Sequence, residues 1–373
     1  TVVGVTGSSG KTSTKDLLAG VLGAAGPTVA PAGSANNELG HPHTVLQADA
    51  GTRFLVLEMG ARGIGHIRHL ARIAPPRIGA VLNVGTAHLG EFGSREVIAQ
   101  AKGELVEALP PDGVAVLNAD DPLVAAMAAR TPARVITFGR DADVRAADVR
   151  LDAFGRPAFT LRARGAAIPV RLRLVGAHQV GNALAAAAVA LGADLPIEQT
   201  AQALTAAVPA SRWRMELSER ADGLLVVNDA YNANPESMRA ALDALVSVAR
   251  GRTGRTFAVL GQMAELGPAG KAEHEAIGRR AAELAVSRVI AVGDAARPIQ
   301  QAAALEGSWD GEASWVPDAD AAVALLRDEL RHDDVVLVKA SRAASLERVA
   351  LAITEDRADG SAEGGDAWAS RPC

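Results

Sequence analysis

The segment GVTGSSGKTSTKD, residues 4–16, places a glycine-rich loop between an apolar strand and a helix that begins near Lys11. Glycines let backbone N–H groups point at an anion, and the N-terminus of the following helix adds partial positive charge. Lys11 can neutralise phosphate oxygens, and the hydroxyl of Thr12 can bind Mg²⁺. The common phosphate-loop pattern has a glycine where this chain has Val5. Because strand, loop, Lys-Thr pair and helix are all in register, the segment still predicts a nucleotide site rather than a turn that binds nothing.

Short apolar runs alternate with helical patterns along the chain, which is typical of parallel α/β sheets. The predicted strands that follow the opening one span residues 54–58, 78–84, 114–117 and 135–138. Residues 141–175 interrupt this alternation and predict short antiparallel strands, followed by an alanine-rich helix over about 178–191. We therefore expect residues 1–209 to form a central ATP-binding P-loop domain with a parallel sheet.

The α/β alternation restarts after residue 209. Buried-strand runs follow at 224–227, 257–260, 289–292 and 335–338. They predict a smaller, Rossmann-like C-terminal domain over residues 210–355. The tail, residues 356–373, is polar and glycine-rich and is predicted to be disordered.

Composition excludes several classes of protein. A net charge of −5 over 373 residues argues against a nucleic-acid binder that neutralises phosphates, and no uncharged apolar run approaches the length of a membrane span. The single cysteine is the last residue, Cys373, which leaves no disulfide framework and no cysteine metal site. We predict a cytoplasmic, monomeric enzyme with small-molecule substrates. Because residue 1 is Thr1 and not methionine, we expect the chain to begin inside a longer protein.

Polar side chains follow the predicted strands of the first domain, where ligands gather in open α/β sheets. Glu58 ends one strand, and beside a phosphate loop it is a candidate Mg²⁺ ligand. His88, in LNVGTAHLGEFGS, either binds metal or phosphate or only hydrogen-bonds to the backbone. Lys102, taken alone, is a solvated helix lysine. Asn182 shares a helix face with His178 and either reads a purine edge or belongs to a polar helix N-terminus.

Two strand ends of the second domain are also polar. The segment VVNDAYNANPESM indicates a ligand rim, although a turn with asparagine caps explains part of it. The segment VVLVKASRAASLERV carries two cations that either face an anion or cap a turn. The candidate side chains of these segments are Asp229, Tyr231, Asn232, Asn234, Lys339, Ser341 and Arg342.

Together these segments resemble the Mur ligase family, the ATP-dependent amide-forming enzymes of peptidoglycan assembly. The resemblance runs from Val3 to about Ala350, and the family's phosphate loop also lacks the glycine at position 5. It is strongest to the type that adds D-alanyl-D-alanine to a UDP-N-acetylmuramoyl tripeptide. The segments that carry it are TGSSGKTSTKD, LEMGARGIGHI, NVGTAHLGEFGS, AKGEL, LNADDP and NDAYNANPESM.

The resemblance implies a reaction in two steps. ATP transfers its γ-phosphoryl group to the tripeptide carboxylate, and the amine of D-alanyl-D-alanine attacks the resulting acyl phosphate. Family members carry an N-terminal UDP-binding domain, which this chain is expected to lack. A folylpolyglutamate synthase-like amide ligase and a truncated, non-catalytic ATP-binding module are the alternatives.

The resemblance also implies the roles of individual residues. Thr12 and Glu58 would hold a first Mg²⁺ ion, and His88 would hold a second one together with a carbamylated Lys102. The catalytic candidates are Lys11, His88 and Lys102. The ATP contacts would be Gly7, Ser8, Ser9, Gly10, Lys11, Thr12, Asn182, Arg212, Asp229, Tyr231, Asn232 and Asn234. The substrate contacts would be Ser34, Asn36 and Asn37 for the muramyl peptide, and Lys339, Ser341 and Arg342 for D-alanyl-D-alanine.

Overall fold

The computed structural model describes residues 1–85 and 89–355 and contains two six-stranded sheets and one three-stranded sheet. The first sheet is entirely parallel, with the order β2-β3-β1-β4-β5-β6. Its strands are β1 (Val2–Thr6), β2 (Thr28–Val29), β3 (Phe54–Glu58), β4 (Ile78–Val81), β5 (Val114–Asn118) and β6 (Arg134–Phe138). The predicted parallel sheet is therefore confirmed, although β4 ends earlier than predicted and the two-residue β2 was not predicted.

Helices cover both faces of the first sheet. They are α1 (Lys11–Gly23), α2 (Gly40–Val45), α3 (His66–Ile73), α4 (Leu89–Phe92), α5 (Arg95–Glu107) and α6 (Pro122–Ala125). Alternate residues of β1 face opposite cores: Val3 and Val5 pack against α1, whereas Gly4 faces α5. A Cβ atom at Gly4 would lie 2.9 Å from Cδ1 of Leu105, so this glycine lets α5 lie close against the sheet.

A three-stranded antiparallel sheet and two more helices complete the N-terminal half. They are β7 (Arg145–Leu151), β8 (Pro157–Ala163), β9 (Ala166–Arg171), α7 (Gln179–Gly192) and α8 (Ile197–Ala206). The alanines of α7 are fully buried between the first sheet and the small sheet, because their short side chains allow close packing on both sides. The antiparallel strands and the alanine-rich helix agree with the sequence prediction.

The second six-stranded sheet has the order β10-β11-β15-β12-β13-β14 and is parallel except for β10. Its strands are β10 (Glu216–Glu219), β11 (Leu225–Asp229), β12 (Thr256–Leu260), β13 (Arg288–Val292), β14 (Glu312–Val316) and β15 (Val335–Lys339). Its helices are α9 (Pro235–Ala249), α10 (Gly270–Glu283), α11 (Arg297–Ala304), α12 (Ala319–Glu329) and α13 (Glu347–Glu355). The four central strands were predicted, whereas the two edge strands, β10 and β14, are only partly buried and lack the apolar runs that mark the others.

The two large sheets share no strand among the described residues, and the chain passes from one to the other between α8 and β10. The exact division at residue 209 stays a prediction, and the tail at 356–373 lies outside the described residues. None of the described helices is long and apolar enough to cross a membrane.

Candidate active site

The phosphate loop follows β1 and is held in shape by the chain that follows β4. The side-chain oxygen Oδ1 of Asn83 accepts a hydrogen bond from Ser9 N at 2.9 Å, and its backbone oxygen accepts one from Ser8 N at 3.1 Å. Gly85 N donates to Ser8 Oγ at 2.9 Å. Asn83 is therefore a loop-shaping residue that the sequence assignment of roles left out.

The loop ends at Gly10, which begins helix α1. Gly10 has a φ of 79°, a left-handed conformation that favours glycine. As the N-cap residue it supplies no side-chain oxygen to the first amides of the helix, so these N–H groups stay available to an anion. The geometry fits a phosphate group at this position.

Lys11 folds back over the loop, where its Nζ atom donates a hydrogen bond to the carbonyl oxygen of Gly7 at 2.8 Å. Burial lowers the pKa of the Lys11 amine, the nearby Glu58 carboxylate raises it, and Arg214 lowers it further. A bound polyphosphate would give the ammonium group a stronger acceptor than this carbonyl, because hydrogen bonds between ions are the strong ones.

Thr12 and Glu58 lie together directly beneath the loop, as predicted for a metal site. Thr12 Oγ1 donates to Glu58 Oε2 at 3.0 Å, and both side chains are buried. The other carboxylate oxygen, Oε1, accepts hydrogen bonds from Ser34 Oγ at 2.8 Å and from Asn36 Nδ2 at 2.7 Å. Ser34 and Asn36, predicted as substrate contacts, therefore orient the carboxylate in this structure, while Asn37 Oδ1 accepts from the backbone N–H groups that open α2.

The donor set suits Mg²⁺. Within residues 1–85 and 89–355, no group of three or more His, Cys, Asp or Glu side chains could enclose a metal. A hydroxyl and one carboxylate are hard oxygen donors, and Mg²⁺ commonly takes one or two such protein ligands with substrate phosphates and water. His88, the further predicted ligand, lies outside the described residues.

The environment of Lys102 differs from the one expected from the residues alone. This residue is not a solvated helix lysine, because it is only 4% exposed on the face of α5 that packs against the sheet. Burial lowers the pKa of its amine well below the usual range, and the charge of Lys11 lowers it further. A neutral amine is the form that reacts with carbon dioxide, so this environment suits the carbamate that the family resemblance implies. The sequence carries a signal of this burial, because Lys102 is spaced i, i+4, i+7 with the apolar Ile98 and Leu105.

Arg214, rather than Arg212, reaches the phosphate loop. Its Nη2 atom donates to Thr12 Oγ1 at 3.2 Å, and its guanidinium lies 4.2 Å from the ring centroid of Tyr231. Arg212 is exposed and lies over the ring of Trp213 instead. The intervening Trp213 has a φ of 58°, which kinks the backbone and separates the directions of the two arginines. The structure thus brings Arg214, which the sequence analysis did not assign to the site, to the loop in place of Arg212, whose contact with ATP stays a prediction.

A buried ion pair holds the segment that carries Arg214 in place. Lys339 Nζ lies 2.6 Å from Asp229 Oδ2 and also donates to the carbonyl oxygen of Asn232 at 2.8 Å. The second carboxylate oxygen of Asp229 accepts from Met215 N at 3.1 Å. Burial lowers the pKa of Lys339, and the carboxylate of Asp229 raises it again. Asp229 and Lys339 were assigned to different ligands, and the structure brings them into one contact.

Ser341 and Arg342, the other candidates after β15, differ in their environment. Ser341 is buried, and its Oγ atom accepts from Ala264 N at 2.9 Å. Arg342 is half-exposed, pairs with Glu347 and lies over Trp213. Of these two residues Arg342 carries the exposed charge, and its guanidinium is already paired with Glu347.

Asn234 joins the second sheet to the phosphate loop. Its Oδ1 atom accepts from Ser237 N at 2.8 Å and caps helix α9, in a reciprocal pair with the Ser237 side chain. Its Nδ2 atom donates to Ser8 O at 3.4 Å. Asn232, by contrast, is exposed.

A cavity of about 200 Å³ lies between the phosphate loop, the start of α7 and the second sheet. His178 and Asn182 both line it, as their shared helix face predicted, and Asn182 Nδ2 donates to Gln179 Oε1 at 2.8 Å. The other lining residues include Ser9, Gly10, Asn83, Asn118, Phe138, Arg214, Asp229, Glu236 and Lys339. The cavity adjoins the loop on the side where the rest of a nucleotide would extend.

These features define a nucleotide-binding α/β protein whose P-loop faces a second sheet domain. Family models match two regions, the Mur ligase middle domain over residues 5–190 and the Mur ligase, glutamate ligase domain over residues 213–342. The chain belongs to the Mur ligase family.

The chain is similar to named proteins of one type within this family. It is 57% identical to UDP-N-acetylmuramoyl-tripeptide–D-alanyl-D-alanine ligase of Mycobacterium tuberculosis, over 97% of this chain and 74% of that protein. A MurF crystal structure from Acinetobacter baumannii matches with a TM-score of 0.86 and 32% identity, over 95% of this chain and 76% of that chain. MurF ligase of Thermotoga maritima in complex with ADP matches with a TM-score of 0.83 and 32% identity, over 97% and 81%.

The contrast between the two arginines is testable. Arg214→Ala removes a charged hydrogen-bond donor at the loop, an interaction of about 1.5–3 kcal/mol, so we expect ATP affinity to fall by roughly tenfold or more. Arg212→Ala is the matched control and should change the affinity less than about threefold, as surface substitutions generally do. Isothermal titration calorimetry with ATP and Mg²⁺ measures both. A larger loss in the Arg212 variant would restore the original assignment.

Proposed function

We propose that this chain is an ATP-dependent ligase that joins D-alanyl-D-alanine to UDP-N-acetylmuramoyl tripeptide, releasing ADP and phosphate in the cytoplasmic synthesis of peptidoglycan precursors. The similarity to ligases of this activity over nearly the whole chain supports the choice of substrates. The observation that carries the chemistry is the contact of Thr12 with Glu58 directly beneath the phosphate loop. We expect the enzyme to act as a monomer.

The first step makes an acyl phosphate. An oxygen of the tripeptide carboxylate forms a bond to the γ-phosphorus of ATP, the bond from that phosphorus to the bridging oxygen breaks, and ADP leaves. Both reactants are anions, so the chain must offset their repulsion. Lys11, Arg214 and the amides at the start of α1 supply positive charge on the phosphate side.

The proposed metal ligands begin with Thr12 and Glu58, which are in contact at the phosphate loop. Thr12 and Glu58 would hold a first Mg²⁺ ion, and His88 with the carbamate of Lys102 a second. Bound Mg²⁺ supplies charge neutralisation between the carboxylate and the triphosphate. Ser34 and Asn36 keep the Glu58 carboxylate oriented, since both donate to the same oxygen.

The second step forms the amide. The neutral amine of D-alanyl-D-alanine attacks the acyl carbon, the bond from carbon to the phosphate oxygen breaks, and the proton of the amine leaves with the departing phosphate. Arg342 pairs with Glu347 in this structure, and its half-exposed guanidinium would exchange that partner for the carboxylate of the dipeptide. Lys339 and Ser341 would shape the site rather than contact the dipeptide, because their polar atoms already form hydrogen bonds within the protein.

The nucleotide would lie between the two domains. Asn182 and His178 line the cavity that suits the base, and Arg214 lies against Tyr231 at the edge of the second domain. Closure of the domains would exclude water, which otherwise hydrolyses the acyl phosphate.

We expect phosphate release to require D-alanyl-D-alanine together with UDP-N-acetylmuramoyl tripeptide. Replacing the dipeptide by glutamate should give no turnover, and glutamate-dependent turnover would instead indicate a folylpolyglutamate synthase-like ligase.

Lys11→Ala should lower kcat by about 10³-fold or more, because a cation that contacts the transferred phosphoryl group is lost. Lys271→Ala, at an exposed lysine, is the control and should have normal activity. ATP binding without amide product in the unmodified protein would indicate a non-catalytic module.

Lys102→Ala should lose at least about 10²-fold in kcat and recover part of it when short-chain carboxylates are added. The added carboxylate would occupy the cavity left by the shortened side chain and replace the carbamate beside the metal. Lys271→Ala with the same carboxylates controls for a general salt effect. An undiminished rate in Lys102→Ala without carboxylate would remove Lys102 from the mechanism.

A further inference from the structure

The three-stranded sheet formed by β7, β8 and β9 has one buried face and one exposed face. Phe159, Leu161 and Val170 belong to its inner face and pack into the core that contains α7. Four arginines belong to the outer face, and all four are exposed. They are Arg145, Arg150, Arg162 and Arg171, and together they define what we call the basic face.

The strand register brings these charges close together. Arg145 lies directly opposite Arg162, a like-charge pair that destabilises an antiparallel sheet. Arg150 and Arg171 lie on either side of Ala158. Cross-strand pairing within the sheet therefore does not explain why it carries so many arginines.

The basic face is not neutralised by the described part of the chain. None of its four arginine side chains forms an ion pair or donates a hydrogen bond to a residue within 1–85 or 89–355. Arg156, in the turn of the same sheet, is different, because its Nε atom contacts Asp152 Oδ2 at 2.8 Å. Asp148 is the acidic residue within β7, and its Oδ2 atom accepts from Thr160 Oγ1 at 3.4 Å. The four arginine charges thus stay unpaired, and with the carboxylate of Asp148 on the same face they leave a positive excess in a chain whose net charge is −5.

The space between the arginines is flat. Apart from Asp148, which contacts Thr160 on this face, the other outward positions carry short or compact side chains, namely Ala147, Ala158, Thr160, Ala167 and Pro169. Val149, at the irregularity in β7, is 47% exposed beside Arg150. The face therefore presents long cationic side chains above a smooth base.

This combination distinguishes among possible partners. Protein interfaces derive most of their energy from aromatic or apolar anchors in fitted pockets, which the described outer face lacks. Sequence-specific nucleic-acid binding needs a protein element that enters a groove or stacks on bases, and the outer face has no aromatic residue for stacking. A plane of phosphate head groups needs neither, because clustered lysines or arginines are attracted to it through charge alone.

We propose that the basic face docks the protein on an anionic phospholipid surface. The guanidinium groups would contact lipid phosphates. The face belongs to a different sheet from the phosphate loop, so docking does not depend on the proposed ligase function. Because the attraction is electrostatic, it weakens as salt increases.

Co-sedimentation with lipid vesicles tests the proposal on the whole chain. The protein should sediment with vesicles of equal parts phosphatidylglycerol and phosphatidylcholine at about 0.15 M salt, and not with phosphatidylcholine alone. The combined variant Arg145→Gln, Arg150→Gln, Arg162→Gln and Arg171→Gln should lower the partition coefficient about tenfold or more. Replacing the same four residues by lysine should retain most of the binding.

A control variant changes the same number of exposed arginines elsewhere: Arg72→Gln, Arg134→Gln, Arg250→Gln and Arg331→Gln. It alters net charge equally and should keep vesicle binding. Melting temperatures no lower than that of the unmodified protein would show that the sheet remains folded in both variants. An equal loss of binding in both variants would overturn the proposal, because net charge would then be the cause. Binding to a DNA duplex but not to vesicles would overturn it as well.

Discussion

The hydroxyl group of Thr12 is where the two halves of the molecule meet, and the geometry of the active site depends on it. It donates to Glu58 Oε2 at 3.0 Å and accepts from Arg214 Nη2 at 3.2 Å. A hydroxyl has one proton to donate and lone pairs to accept, so both bonds can form at once. One side chain thereby links the phosphate loop, the end of β3 and the C-terminal domain. A metal ion bound by Thr12 and Glu58 would lie at this junction.

The position of Arg214 depends in turn on a buried ion pair. Asp229 holds the backbone of Met215 with one oxygen and the ammonium of Lys339 with the other. Removing either partner would leave a buried charge uncompensated, which is strongly destabilising. Lys339 thus acts in this structure by holding the segment that carries Arg214. Burying such a pair costs solvation energy, and here it fixes the direction of Arg214.

The fold was largely predictable from the sequence because its central strands are continuous apolar runs, as strands covered on both faces must be. The edge strands β10 and β14 escaped prediction, since half-exposed strands carry mixed residues. Within the site, the juxtaposition of Thr12 and Glu58 followed from parallel strands ending at one edge of the sheet. The burial of Lys102 was also readable from its spacing to Ile98 and Leu105, although a charged residue normally argues for solvent.

The choice between Arg212 and Arg214 could not be made in the same way. The two residues flank one tryptophan and are chemically identical, so composition and spacing treat them alike. A left-handed backbone conformation at Trp213 decides which one faces the loop. That conformation is rare for a bulky residue and is imposed by tertiary packing. The ion pair of Asp229 with Lys339 is likewise a contact between neighbouring parallel strands that are distant in sequence.

If the phosphate loop activates a carboxylate, one oxygen of that carboxylate must leave with the released phosphate. The tripeptide substrate would be labelled with ¹⁸O in its terminal carboxylate and turned over with ATP, Mg²⁺ and D-alanyl-D-alanine. Phosphate released through an acyl phosphate must carry one labelled oxygen, while the other stays in the new amide, and mass spectrometry of both products should show this. Released phosphate without label would exclude an acyl phosphate on the reaction path.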